Sequence, residues 1–403
     1  MTPNITPSRR YHVVDALRGF AIVSIMLLHN IEHFDYYFRP EGLPQWMVSL
    51  DKGIWDTLFF LFGGKSYGIF ALLFGLTFFI QMNNQEKKGR DFRGRFAWRL
   101  VLLFAFGMIN STFYQGDILT LYAAVGFLII PFAKLDNKVV FFVAILLLLQ
   151  PVGLYHLFNA IQHPEIAIPN PKSWAYFGNM QDYIQGDSMS ATLWGNLTNG
   201  KKAVVLWSWE NGRYFHMLAL FLLGMLMGRK KLFASTVENT RFWAKTLIIS
   251  AVSFIVLFVI QKNAGHFLSA ETVKRTFLAV EGSWTNIAFM FILISGFFLL
   301  FQNRFGSKIL GVFTPMGKMS LSNYVFQSII GSSIYYGYGL AMYQYTGSTY
   351  CILIGIALSF CMGTFSLYWT RRFRHGPLEY LWHQATWITL PSKKPGAEAA
   401  LEV

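Results

Sequence analysis

Ionisable side chains are sparse in this sequence, and several of them fall inside long apolar runs. The stretch Val14 to Glu32, VDALRGFAIVSIMLLHNIE, carries Asp15 and Arg18 at its start and His29, Glu32 and the following His33 at its finish. As a helix, the steps from Arg18 to His29 bring the chain back to within about 20° of the same face, roughly 16 Å further along the axis. One face thus carries a cation at one end and an imidazole at the other. Such groups are costly in hydrocarbon and normally face a bundle interior or a wet cavity. A neutral His29 in that setting is suited to general-base work, taking the proton of a hydroxyl or amine as it attacks an acyl group. Glu32 or Asp117 would orient the imidazole, and Lys65 or Arg213 would stabilise the oxyanion.

The other candidates come from distant segments. Lys65 lies in GGKSYGIFALLFG, and Asp117 ends the turn Tyr114-Gln115-Gly116-Asp117, where it either serves the site or caps the next helix. Glu210, Arg213 and His216 follow one another at steps of three in WSWENGRYFHMLALFLLG, so Glu210 and Arg213 are placed to pair on one helix face. Lys318 opens GKMSLSNYVFQS at the cytoplasmic side, where it either meets an entering ligand or reaches lipid phosphate. Arg18 and Asp15, below His29 on the same face, would line a thin channel that admits an elongated anionic donor, with an acyl thioester of coenzyme A as the natural fit. His29 to His33 also spells HxxEH, a zincin-like pattern. No third ligand follows it downstream, and no metal is expected.

These residues need a scaffold, and composition supplies its class. With 54% hydrophobic and only 13% charged residues, the chain does not suit a soluble protein. Runs long enough to cross a roughly 30 Å core recur throughout, while the ten-residue alternation of a porin does not. The expectation is an all-α polytopic membrane protein of about ten transmembrane helices. The formal charge of +14 does not imply nucleic acid, because Lys and Arg gather in alternate loops: Arg9 and Arg10, Lys87 to Arg99, Lys134 and Lys138, Arg229 to Lys245, Arg304 and Lys308, and Arg371 to Lys394. The positive-inside rule then puts both termini in the cytoplasm. Arg18 interrupts the first apolar run, so that span is expected to be retained rather than cleaved as a leader. Cys351 and Cys361 lie too far apart along one span to bridge each other.

The chain divides into an N-terminal transmembrane part, residues 1–158, an extracytoplasmic segment, 159–202, and a C-terminal transmembrane part with a cytoplasmic tail, 203–403. The middle segment is too long for an idle connection and is expected to cap the outer mouth or hold short helices. GKSYGIFALLFG in the second span, about 57 to 82, and GRYFHMLALFLLG in the sixth, about 203 to 228, align Gly64-Lys65 with Gly212-Arg213, as a parallel duplication would. Ten spans with interior charges would equally suit a transporter or exporter of a small polar solute.

LRGFAIVSIMLLHN at Leu17 to Asn30, GGKSYGIFALLFG at Gly63 to Gly75, GDILTLYAAVG at Gly116 to Gly126, GKMSLSNYVFQS at Gly317 to Ser328 and GPLEYLW at Gly376 to Trp382 together resemble the YeiB family of membrane proteins. That family is similar to the transmembrane acyltransferase superfamily, which includes the lysosomal heparan-α-glucosaminide N-acetyltransferase and bacterial membrane O-acetyltransferases. An Arg-x10-His pair on the first span marks the bacterial group, and here it falls on Arg18 and His29. The resemblance implies a multi-pass protein of the bacterial cytoplasmic membrane that moves an acyl group, acetyl first among candidates, from cytoplasmic acyl-CoA to a sugar or small-molecule acceptor at the far side. His33 and Asp117 stand as alternative bases, Lys65, Glu210, Arg213 and Lys318 as donor-binding groups beside Arg18 and Asp15, and pairing into a homodimer is open.

Overall fold

A computed structural model describes residues 11–388 apart from residue 168, so Arg9, Arg10, Lys393 and Lys394 lie outside the described residues. The described elements are helical, with no strand among them. From the N-terminus come α1 (His12–Ile31), α2 (Gln45–Phe62), α3 (Ser66–Glu86), α4 (Arg93–Phe113), α5 (Leu119–Ile129), α6 (Asn137–Leu148) and α7 (Pro151–Gln162). Short helices follow: α8 (Lys172–Gly178), α9 (Gln181–Ile184), α10 (Met189–Gly195) and α11 (Lys201–Glu210). The remainder is α12 (Arg213–Arg229), α13 (Val237–Phe267), α14 (Glu271–Phe301), α15 (Arg304–Leu310), α16 (Thr314–Lys318), α17 (Ser320–Tyr335), α18 (Ser348–Arg372) and α19 (Pro377–Thr386).

Seven segments are long and apolar enough to cross a bilayer: His12–Ile31, Gln45–Glu86, Arg93–Phe113, Asn137–Gln162, Val237–Phe267, Glu271–Phe301 and Ser348–Arg372. The fourth, sixth and ninth expected spans are instead shorter helices, for local reasons. α5 tightens into a 3-10 turn at Pro131, α12 starts only after Gly212, and α17 starts after the non-helical Met319. The second, fifth and sixth expected spans are each broken. Gly64 has φ +75° between α2 and α3, and Gly212 has φ +64° between α11 and α12. Gln150, at φ +58°, separates α6 from α7 in front of Pro151, which itself disfavours helix in the residue before it.

The core is organised around α3 and α12. Leu220 lies near Gly68, Phe221 near Gly75, Leu72 near Gly224 and Phe79 near Gly228, so the two helices run side by side in the same direction. A methyl group on Gly75 would collide with the Phe221 carbonyl, and one on Gly224 with the Leu72 carbonyl. Between membrane helices the aqueous hydrophobic effect is largely absent, and such close backbone packing supplies the association energy. The two stretches that resemble each other in sequence are thus neighbours in space. α1 packs against α3 on one side and α16 on the other, where Gly19 meets the Phe313 carbonyl and Gly317 that of Asp15. α13 and α14 form a hairpin whose Ile248, Ile249, Val252, Ile255 and Val259 are exposed, as a lipid-facing surface requires.

Candidate functional site

α1 ends in an unusual turn. After Ile31 the chain continues through Glu32 into three consecutive left-handed residues, His33, Phe34 and Asp35, at φ +46°, +56° and +68°. None is glycine, and each conformation costs roughly 1–2 kcal/mol. The surroundings hold them: the Phe34 amide donates to the His29 carbonyl at 2.7 Å, and the Tyr336 hydroxyl donates to the Phe34 carbonyl at 2.7 Å. The His33 ring is fixed between the Tyr36 carbonyl at 3.2 Å and the Thr346 carbonyl at 2.8 Å. This turn leaves His29, Glu32 and Asp35 on the wall of one cavity of about 1480 Å³. It also carries His33 out of that wall, so HxxEH does not bring two imidazoles to one point.

His29 packs its ring against Tyr114 at 4.6 Å and Phe34 at 5.6 Å between centroids, with Tyr324 at 6.4 Å. Its Nδ1 is buried with no hydrogen-bond partner among the described residues. The Tyr324 hydroxyl accepts from the Ile118 amide at 3.1 Å, leaving its own proton available. Glu32 accepts from the Tyr37 hydroxyl at 3.1 Å. Burial, reinforced by the neighbouring Asp35, pushes the Glu32 carboxyl up to about 8, and burial pushes Asp35 up to about 6.

The facing elements are the starts of α3 and α12. Arg213, first residue of α12, lies between two rings, its guanidinium 4.3 Å from Tyr67 and 4.1 Å from Trp207. Among the described residues it has no hydrogen-bond acceptor and no ion pair. One turn on, His216 sets Nδ1 3.2 Å from the Tyr67 hydroxyl, and its Nε2 is buried with no partner among the described residues. The expected pair of Glu210 and Arg213 does not form. The break at Gly212 takes Glu210 off the face of α12, and its carboxylate instead accepts from the Ser173 hydroxyl at 2.6 Å and amide at 3.3 Å. Glu210, Arg213 and Trp207 border the cavity together with Asn159, His163, Pro169, Pro171 and Trp174 of the long middle segment.

Four other candidates lie elsewhere. Arg18 donates to the Thr77 hydroxyl at 2.8 Å and pairs with Asp15 at 3.4 Å, in the seam of α1 and α3. Fully buried Ile22 and Met26 lie on α1 between them and the cavity, and neither Arg18 nor Asp15 is among the residues that line it. The Lys65 ammonium lies 5.6 Å from the Phe289 ring centre and outside the cavity lining, although Gly64 and Ser66 on either side of it belong to that lining. Lys318 closes the short α16, which packs on the Arg18 end of α1, away from the cavity.

Asp117 is fully buried just before α5, whose first turn it holds. It accepts from the Thr120 amide at 3.0 Å and the Asn110 side chain at 2.9 Å, and pairs with Lys201 at 3.5 Å. It therefore does not orient His29. Among the cavity residues that sequence reading passed over are Asp35, Tyr67, Tyr114, Gln150 and Tyr324. Of these Tyr67 and Tyr324 carried a signal, through their places in the GGKSYG and GKMSLSNYVFQS motifs.

Comparison with known proteins agrees with the motif resemblance. Residues 227–389 match the family described as a protein of unknown function, DUF418. The chain is 28% identical to the uncharacterized protein YxaH of Bacillus subtilis (strain 168), over 96% of this chain and 97% of that protein. It is 26% identical to the uncharacterized protein YeiB of Escherichia coli (strain K12), over 93% of this chain and 95% of the other. It is also 23% identical to an uncharacterized 39.9 kDa protein in the amylase 3' region of Bacillus acidopullulyticus, over 95% of each. No solved structure matches the chain. These full-length matches bear out the YeiB-like character read from the motifs.

Proposed function

We propose that this YeiB-like membrane protein is an acyltransferase. It would move an acyl group, acetyl in the first instance, from cytoplasmic acyl-CoA to a hydroxyl or amine acceptor held in the cavity on the extracytoplasmic side. The reading keeps ten membrane passages, with α5, α12 and α17 as the short ones, both termini in the cytoplasm and a bacterial inner membrane. The observation that carries it is His29: an imidazole with a buried, unpartnered ring nitrogen in the wall of a cavity large enough for an acceptor.

Neutral His29 would take the proton of the acceptor as its oxygen or nitrogen attacks the thioester carbonyl. The Tyr324 hydroxyl, with its proton uncommitted, would donate to the tetrahedral oxyanion. The carbon–sulfur bond then breaks, and the imidazolium returns its proton to the departing thiolate. Arg18 stands at the end of α1 nearest the basic segments and would meet the donor phosphates there. For the thioester to reach His29 the seam of α1 and α3 must part, and the contact of Arg18 with Thr77 is a polar link across that seam.

The test uses the purified full-length protein in detergent with radiolabelled acetyl-CoA and longer acyl-CoAs, following binding and slow thioester hydrolysis. Saturable binding that Arg18→Ala weakens, with hydrolysis lost in His29→Ala, is expected. Failure of every acyl-CoA to bind overturns the reading. One feature favours a second one, a solute transporter: paired broken helices whose N-termini face a cavity are a recurrent transporter device. Solute uptake into proteoliposomes without acyl-CoA binding would establish it.

A further inference from the structure

Around the starts of α3 and α12 the cavity wall is rich in hydrogen-bond donors and poor in acceptors. Both helices begin directly behind a left-handed glycine, or one residue after it, and neither N-terminus is capped by a side chain. Three buried side chains there have polar atoms without partners among the described residues: Ser66 Oγ on α3, His216 Nε2 on α12 and Gln150 Nε2 at the break before α7. They are 1%, 6% and 7% exposed, and all three residues line the cavity. The Arg213 guanidinium is the fourth group, held by Tyr67 and Trp207 and left without an acceptor. Among the described residues no carboxylate is within ion-pair distance of it: Glu210 is bound to Ser173, while Glu32 and Asp35 share the cavity and feel its charge without touching it.

A guanidinium stacked between two rings keeps its donor edge free for a planar or tetrahedral oxyanion. Two helix N-termini running the same way add their positive ends to the same wall. Buried donors without acceptors are unstable arrangements unless something supplies the acceptor, and here one oxyanion would satisfy several at once.

We infer that Arg213, with Ser66, Gln150 and His216 at the paired starts of α3 and α12, binds a carboxylate or phosphate group carried by the acceptor. The acceptor is then an anionic hydroxyl or amine compound, such as a hydroxy acid, an amino acid or a phosphorylated alcohol, rather than a neutral sugar. The word acceptor rests on the acyltransferase reading, whereas the anion site itself does not.

Calorimetric titration of the full-length protein in detergent with lactate, inorganic phosphate, glycerol 3-phosphate and neutral glycerol tests this. Saturable binding of at least one anion and none of glycerol is expected, and the preferred anion separates carboxylate from phosphate. Arg213→Gln should weaken that binding at least about tenfold, as loss of a charge-assisted fork does. Arg213→Lys should retain part of it, with both variants eluting from gel filtration as wild type does. Acyl-CoA binding should survive Arg213→Gln. Absence of anion binding in the wild type, or equal binding in Arg213→Gln, overturns the inference, as does loss of acyl-CoA binding in that variant, which would make Arg213 a donor site. Anion binding without any acyl-CoA binding leaves the anion site standing while the acyltransferase reading falls.

Discussion

Gly212 sets the start of α12, and replacing it by alanine tests the geometry of the candidate site at a single atom. Its φ of +64° costs an L-residue roughly 1–2 kcal/mol, partly offset by the roughly 0.4–1 kcal/mol gained from stiffening the unfolded chain. The new methyl carbon would stand 2.7 Å from the Gln150 Oε1, so that side chain must shift. The atom met is the end of a flexible side chain, but Gln150 is only 7% exposed and its amide has little room to swing aside, so overpacking of this kind adds about 1–3 kcal/mol. The expected total is about 2–4 kcal/mol.

Gly89 is the control. It has φ +69° with nothing within 4 Å of an added methyl, so Gly89→Ala should cost only about 1 kcal/mol. Unfolding free energies of the purified variants in mixed micelles would measure both. Combining Gly212→Ala with Gln150→Ala should recover the crowding part and leave a cost close to that of Gly89→Ala. Equal losses in Gly212→Ala and Gly89→Ala would refute the crowding argument, and no loss in either would refute the left-handed backbone itself. Because α12 carries Arg213 at its first residue, Gly212→Ala should also weaken anion binding although no donor has been removed.

Lys201→Met removes the cation beside fully buried Asp117 and should cost about 3–5 kcal/mol in the same assay, part of it recovered when Asp117→Asn is added. If that double variant still hydrolyses acyl-CoA, Asp117 is structural; if it folds but is inactive, the role assigned to Asp117 here is wrong. The pH dependence of stability tests the acidic wall. Glu32 binds its proton more tightly in the folded chain than in the unfolded one, so stability should fall as pH rises from about 4.5 towards about 8. Glu32→Gln should flatten the upper part of that decline and leave the lower part, between about 4 and 6, which Asp35 sustains.

The sequence was informative where chemistry follows local spacing. A lone imidazole at the end of the first apolar run pointed to His29, and it stands in the cavity wall. The likeness of the Gly64 and Gly212 segments pointed to two helices that begin alike, and they lie side by side. Spacing failed where the backbone leaves the helix. Steps of three paired Glu210 with Arg213 only on an unbroken helix, and glycine in the left-handed region separated them. Nothing in His33-Phe34-Asp35 announces left-handed backbone, because contacts from Tyr336 and Thr346, some three hundred residues away, impose it. Arg18 and His29 do share a helix face, yet one is engaged by Thr77 across a packed seam and the other is open to the cavity. Periodicity along a single helix carries no information about what a neighbouring helix presents.

The reciprocal seating of Gly75 on the Phe221 carbonyl and Gly224 on the Leu72 carbonyl has a mechanical result. Neither helix can slide or roll past the other without first lifting away, so α3 and α12 turn as one spindle. The changes of direction lie above it, at Gly63 to Lys65 and at Asn211 to Gly212, where α2 joins α3 and α11 joins α12. The cavity accordingly has one wall held by backbone contact, on which Ser66 and Arg213 keep a fixed spacing.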